Sequence, residues 1–425
     1  MVRLLLLLAF AAPLSACLWD YDTLAQESKG MPDVKAAIVG GFPRNPPLYY
    51  EMRLERVTRL LAENPDDLDA YDAAGVACDR LGRSDEAIEW MARKLAAMER
   101  IGYDASQHAQ PNHRYRYLAN LGTFHAHRWF KNGAKRGDTA DMLRGRELIA
   151  QAIKENPDAH FGREKYQLMA MEWVIALRPF DELIPDAQGV PQKPWPLPNM
   201  LGISMQDAYI VHDNDDELAE LGLAGAIEGL SGLIVMGNAW ESIDTYYALA
   251  MAVQVSGRSS LAALAFARCK ELAADGRRSV VEGTPTDDEL IKLMNNDNVN
   301  GLFEHRLLGS QQRTIKHEYE ELRSLARQWH DARTSHMETQ LGLGLHPDTN
   351  ADFWAGFDGN PDRMDVPEPG FVATAVENFT RWFWHKDGRL ITVLGLLAVL
   401  FGLGLVLVRR SSRRRKNAPA TVPYP

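Results

Sequence analysis

From Leu48 to Gly344 apolar residues recur at three- and four-residue spacing, the rhythm of helices that bury one face. Leu48–Glu63 has Met52, Val57, Leu60 and Leu61 in that rhythm and predicts a helix ending at Asn64-Pro65. Two helices meeting at Gly82 are predicted over Asn64–Ile101. A second pair follows, with Leu118, Leu121 and Gly122 on the first helix, Gly145, Ile149 and Ala152 on the second, and Lys131–Thr139 as an enlarged turn. His160–Leu177 is a further helix whose stripe of Phe161, Tyr166, Met169, Met171 and Trp173 suits a core. Pro179, Pro185, Pro191, Pro194, Pro196 and Pro198 exclude a helix around Trp195, leaving a surface loop, a docking segment or a divider between lobes. Helix resumes over Glu217–Met236, where Asp213, Asp215 and Asp216 suit the positive end of a helix dipole, and again over Ile243–Ala274. Along Arg313–Leu341, Ile315, Tyr319, Leu322, Ala326 and Trp329 form a seam that can pack on the last repeat or pair with another copy.

The fold class expected is all-α. Asn64–Ile101 resembles one tetratricopeptide (TPR) repeat, a pair of antiparallel helices whose pattern is W-x2-L-G-x2-Y, A-x3-F and a proline. With Leu68 first, Tyr71 takes the tryptophan place, Gly75 the glycine, Gly82 the turn, Ala87 the alanine and Met91 the phenylalanine, while Ala74, Cys78 and Glu99 depart from it. Gly75 and Ala87 stand where two helices would cross and only small side chains permit close approach. Asn156-Pro157-Asp158 echoes Asn64-Pro65-Asp66, and Tyr246, Leu249, Ala250, Val253, Gly257, Ala262, Phe266 and Cys269 repeat the pattern without interruption. The resemblance implies an irregular TPR-like helical-hairpin solenoid with insertions. It also implies binding along the face of each repeat's first helix: Asp69, Asp72, Val76 and Asp79 in the first, Asp244, Tyr247, Met251 and Gln254 in the late one. The acidic portion of that face predicts a basic or mixed protein or peptide ligand.

Both ends point to a membrane. Arg3, the apolar run Leu4–Ala12 and Leu14-Ser15-Ala16-Cys17 resemble a bacterial lipoprotein signal, which implies lipidation of Cys17; cleavage near Ala16 is the plainer alternative. Leu390–Val408 is nineteen uncharged, almost wholly apolar residues, about 28 Å as a helix, which predicts one C-terminal transmembrane helix. Arg409, Arg410, Arg413, Arg414, Arg415 and Lys416 follow it, so the positive-inside rule puts that tail in the cytoplasm and the body outside, in a periplasm or equivalent. Ala398 and Gly402 have a spacing that admits a homodimer but is common in such helices. The expected organisation is a signal over 1–17, a tether or irregular cap over 18–47, repeats over 48–177, a proline-rich loop over 178–216 and a second helical lobe over 217–344. A stalk and juxtamembrane segment over 345–388, a membrane helix over 389–408 and a basic tail over 409–425 complete it.

Charge excludes one class of partner. Setting aside the seven basic residues of the two termini, the body carries 57 acidic against 40 basic residues, a poor surface for nucleic acid. Cys78 and Cys269, each in an apolar helical pattern, predict two buried, unpaired thiols.

A search for catalytic chemistry finds little. His125 and His127 have a metal-binding spacing on a strand, but on a helix they point about 200° apart. Asp358, Asn360 and Asp362 open like a calcium loop, yet Arg363 replaces the glycine and Pro369 the final glutamate, so a turn is expected. Asn296, Asn298, Asn300 and Gly301 keep the glycine but begin without charge and reach Leu307 where glutamate is needed, so a turn is expected there too. No H-E-x-x-H, G-x-S-x-G, Walker loop or C-x-x-C occurs, and no cofactor is expected. The sequence therefore predicts a membrane-anchored, outward-facing scaffold or adaptor. An enzyme with its site around Trp195 or His305–His336, and a self-associating envelope protein, remain as alternatives.

Overall fold

The computed structural model describes residues 18, 33–107, 112–135, 137–157, 163–177, 184–185, 191–192, 199–204, 207–208, 216–237, 239–281 and 309–366. Cys17, the proposed signal, Leu390–Val408 and the basic tail lie outside the described residues. Among the described residues no helix is long and apolar enough to cross a membrane.

The described chain is all-α. Its helices are α1 Val34–Val39, α2 Pro47–Glu63, α3 Leu68–Arg80, α4 Ser84–Arg100, α5 His113–Lys131 and α6 Ala140–Glu155. They continue with α7 Arg163–Ala176, α8 Asp216–Glu220, α9 Ala226–Val235, α10 Ile243–Val255, α11 Ser259–Ala274 and α12 Gly309–Gly342. Within the proline-rich stretch Ile184–Pro185 pairs antiparallel with Pro191–Gln192, which is the β-pairing found among the described residues.

Local chemistry sets the hairpins. Asp67, Asn112 and Ser242 cap α3, α5 and α10 by accepting from the backbone N–H of Ala70, Tyr115 and Thr245. Gly82 and Gly257 take φ of +72° and +77°, so that Arg83 N–H reaches Cys78 O at 2.8 Å and Arg258 N–H reaches Val253 O at 3.1 Å. Each glycine thus ends a first helix and turns the chain into the second. The enlarged turn expected between α5 and α6 is present, as residues 132–139. Glu217–Met236 is two helices and not the one expected, because Gly222 and Gly225 adopt φ of +73° and +75° and break the run.

Close crossings depend on glycine in the second hairpin. A Cβ on Gly145 would stand 2.7 Å from Gly122 O, a backbone atom that yields only if α5 and α6 part. On Gly75 it would stand 2.8 Å from the methyl end of Met91, which can swing aside. Alanine gains about 1 kcal/mol over glycine in helix propensity. Gly145→Ala is therefore expected to destabilise by about 1–3 kcal/mol net, and Gly75→Ala by less; urea-denaturation midpoints decide the order.

The helices pack in chain order from α2 to α7, α7 then meets α9, and α9 leads through α10 and α11 to α12. One apolar core gathers α7 and α9–α11 with Ile38, Val39 and Phe42 from the α1 region. A second gathers α2–α6 with Leu18. Residues 33–47 are therefore no loose tether, since the α1 side chains fill the second lobe's core. Cys78 and Cys269 are buried and free, and burial pushes the Cys78 thiol up to about 12.

The far end of the chain closes on the near end. The seam of α12 does pack on α11, and its last turns carry Met337 and Leu341 to Tyr49 and Tyr50 of α2. Residues 343–366 contradict the flexible stalk: Phe353 and Met364 are buried, and Asp348 pairs with Arg53 at 2.7 Å and Arg56 at 2.6 Å on α2. His336 bonds Phe353 O at 2.8 Å, and the backbone N–H of Met364 donates to Gly41 O at 3.0 Å. The aspartate, proline and glycine content of His346–Gly370 suits a flexible stalk, but a few aromatic and charged side chains suffice to anchor it. Asp358–Asp362 is a turn, in which the Asp362 N–H meets Asn360 Oδ1 at 2.9 Å.

Candidate functional site

The carboxylate row of α3 faces inward. Asp69, Asp72, Val76 and Asp79 share one face of that helix, and α5 lies across it. Arg116 Nη1 reaches Asp69 Oδ1 at 2.7 Å, Asn120 Nδ2 reaches Asp72 Oδ1 at 3.1 Å, and His127 Nδ1 lies 2.8 Å from Asp79 Oδ2. Lys94 of α4 adds a 2.6 Å contact to Asp72 Oδ2. Val76 fills the same interface. Of the four, only Asp69 keeps substantial exposure, so the expected basic ligand is largely the chain itself. A signal for this existed in the sequence: Arg116, Asn120 and His127 follow their carboxylates by 47, 48 and 48 residues. An acidic row and a matching polar row at an offset of 47 to 48 residues mark two first helices laid side by side.

Asp72 is the deepest member. Burial opposes its charge, but the Lys94 ammonium, which also hydrogen-bonds it, and the His113 ring 3.9 Å away hold its carboxyl below the ordinary value. Ligand atoms of Asp69, Asp72 and His113 lie within 4.8 Å of one another, a spacing that suits a metal. Lys94 and Arg116 already neutralise the two carboxylates, so the cluster is an ion-pair network. His125 and His127 part as their helical spacing requires: His125 Nδ1 meets Asp141 of α6 at 2.8 Å, while His127 turns to α3.

On α10 Asp244, Tyr247, Met251 and Gln254 are all buried. The backbone after α11 folds over α10, and Asp244 accepts from Ser279 Oγ at 2.5 Å and Val280 N–H at 3.0 Å. Among the described residues Gln254 finds no hydrogen-bond partner for either amide atom. Burial raises the Asp244 carboxyl to about 6. A carboxyl whose folded pKa exceeds its unfolded one binds more protons when folded. Stability therefore falls as pH rises from about 4 to about 6. Asp244→Asn keeps an acceptor for both donors and removes the charge. It is expected to flatten that fall and to gain roughly 2–3 kcal/mol over the wild type above pH 6, at about 1.4 kcal/mol per pKa unit; thermal unfolding across pH 4–8 measures it.

A second cluster, which sequence reasoning missed, lies where the α1–α2 loop, α10–α11 and α12 meet. Trp240 seats its indole against Gly40, where a Cβ would come within 2.3 Å of the ring. Around that indole stand the guanidiniums of Arg268, Arg44 and Arg323, at 3.9, 4.7 and 5.0 Å from the ring centre. Glu271 takes Arg268 at 2.9 Å and Arg323 at 2.9 Å, and it also accepts from the Tyr319 hydroxyl. Burial would raise the Glu271 carboxyl, yet the hydrogen bond from Arg323 and the charge of Arg268 hold it at about 2. Arg44 is left outside this pairing. Burial, with repulsion from Arg323, Arg268 and Arg333 only partly offset by Tyr246, lowers its pKa to about 10.

No protein-family model, curated protein or solved structure matches this chain. Chemistry must then be read from side chains alone. The α3–α5 row and the Asp244 pocket are filled by the chain's own groups and serve to lock helices together. The Trp240 junction differs, because it gathers more cations than the carboxylate beside them can answer.

Proposed function

We propose that this chain is a membrane-tethered adaptor whose helical-repeat body faces outward, into a periplasm or equivalent compartment, and holds another protein near the bilayer. The observation that supports the reading is the series of paired helices α3/α4, α5/α6 and α10/α11, of which the first and last keep the spacing of the repeat pattern and the second carries an enlarged turn. The lipid-bearing Cys17 and the Leu390–Val408 helix supply the tether in this proposal. Because the first-helix face is closed, the partner meets the outer faces of the second helices. On α4 that face exposes Asp85, Glu86, Glu89 and Arg93, and on α6 it exposes Leu143, Arg144 and Glu147.

The test is a photo-crosslinking amino acid placed singly at Glu89 and Arg144 in the full-length chain, in its native membrane. A discrete crosslinked protein from either position is expected, with none from buried Met91. Crosslinks from neither outer position sink the adaptor reading for these faces.

A further inference from the structure

The segment that returns to α2 is joined to it by one imidazole. His346 is 5% exposed and lies flat on the Tyr49 ring, with ring centres 4.6 Å apart and planes 19° from parallel. Its Nε2 stands 3.1 Å from Tyr49 O, and its Nδ1 stands 3.1 Å from the backbone nitrogen of Asp348. Those two partners fix the tautomer, because a carbonyl oxygen only accepts and a backbone N–H only donates. Nε2 therefore carries the proton, Nδ1 offers its lone pair, and the neutral ring makes one bond on each side.

A second proton has one place to go, Nδ1, where it meets the Asp348 N–H head on. The charged groups around the ring decide whether that is tolerated. The Asp348 carboxylate, 3.6 Å from Nδ1, favours the cation. Both its oxygens are engaged, Oδ1 by Arg53 Nη2 at 2.7 Å and Oδ2 by Arg53 Nε at 2.9 Å and Arg56 Nη2 at 2.6 Å. Arg53 also donates to the Tyr49 hydroxyl. An imidazolium is thus a third cation on one carboxylate, beside two guanidiniums that repel it. From α12, Met337 and Leu341 complete the cluster with apolar side chains, while Arg333 and His336 reach Pro361 O and Phe353 O. Burial, with the charges of Arg53 and Arg56, lowers the His346 pKa against the opposing pull of Asp348 and Tyr49 O. A histidine lowered by closure binds fewer protons closed than open. Closure is therefore fully favoured above the ordinary value of 6.5 and lost progressively as pH falls below it.

We propose that residues 345–353 form an acid-released clasp, locked on α2 by neutral His346 and freed when Nδ1 takes a proton. Release bares Tyr49 and Tyr50 and parts Arg53 and Arg56 from their carboxylate, so that acid uncovers an apolar and basic face of α2. The clasp is independent of the adaptor reading, since none of its residues lies on α4 or α6.

The test is hydrogen exchange read by mass spectrometry on the purified full-length chain at pH 7.5 and pH 5.0, with labelling times scaled to the intrinsic rate at each pH. Protection over residues 345–353 is expected to fall about three- to thirtyfold at the lower pH, the upper bound being the linkage of one proton over about 1.5 units below its ordinary value. Residues 357–366, held by Arg333 and Gly41 instead, should keep theirs. The readout must be local because Asp244 moves overall stability the other way over part of this range. His346→Gln, which keeps an N–H for Tyr49 O and takes no proton, should remove the fall. His336→Gln, at the other histidine on this segment, should retain it. Equal protection of 345–353 at the two pH values in the wild type, a fall shared by 357–366, or a fall that persists in His346→Gln overturns the proposal. Where His346→Gln closes at neither pH, His336→Gln decides: a retained fall supports the clasp, and a lost one assigns the titration to His336 and overturns it.

Discussion

Glu271→Gln is expected to destabilise the chain by about 3–5 kcal/mol, the usual cost of leaving buried charge without its partner. Arg268 and Arg323 are 3% and 7% exposed, and Glu271 is the carboxylate paired with both. Glutamine keeps the shape and can still accept hydrogen bonds, so the loss is one of charge. Arg44 would then add to the repulsion with nothing to offset it. Lys35–Glu318 joins α1 to the same helix α12 at 2.6 Å, but both partners are more exposed, at 17% and 33%. Glu318→Gln should therefore cost under about 1 kcal/mol. Urea unfolding of the two variants separates burial from mere proximity, and equal losses would refute the account.

The pH dependence gives a second handle on Glu271. Its folded pKa of about 2 lies below its ordinary value of 4.5. A depressed carboxyl contributes stability that is fully present above the unfolded value and is lost as pH falls through the folded one. The gap between wild type and Glu271→Gln should accordingly be widest above pH 5 and shrink towards pH 2.

Helical class and the hairpins were legible because both rest on local signals: apolar period, capping residues and a glycine at each turn. The split at Gly222 and Gly225 was not, since a glycine inside an apolar run has the same spelling whether it continues a helix or ends it. Closure of α12 and residues 343–366 onto α2 was hidden for another reason. Tyr49 and Phe353, or Arg53 and Asp348, are far apart in the chain, and nothing in either stretch names the other. The site residues failed more instructively. Repeat register placed Asp69, Asp72, Val76 and Asp79 on one helix face, as found, but register says nothing about what covers that face. Arg44, Trp240, Arg268 and Glu271 carry no motif at all, because tertiary packing alone brings them together.

Lys94→Met should cost about 3–5 kcal/mol, because it strands the Asp72 carboxylate in an interior where both partners are at most 2% exposed. Asn120 and His113 remain beside it, but neither carries the countercharge that Lys94 does. The double variant Asp72→Asn with Lys94→Met should recover most of the loss. It removes both charges together, keeps an amide to face Asn120 and fills the Lys94 channel with a chain of similar length. Recovery to within about 1–2 kcal/mol of wild type, by urea unfolding, marks a pair whose members are each needed only because the other is there. The position of Asp69 at the open end of the same row supplies the contrast. Its side chain is 41% exposed, so Asp69→Asn loses only a partly screened pair with Arg116, keeps an oxygen to accept from that guanidinium, and should cost about 1 kcal/mol or less. A row built for an external basic ligand would respond alike at every carboxylate, in binding and not in folding. A row built to clamp α3 to α5 must instead respond in stability, steeply at Asp72 and weakly at Asp69, as the burial gradient along the helix dictates.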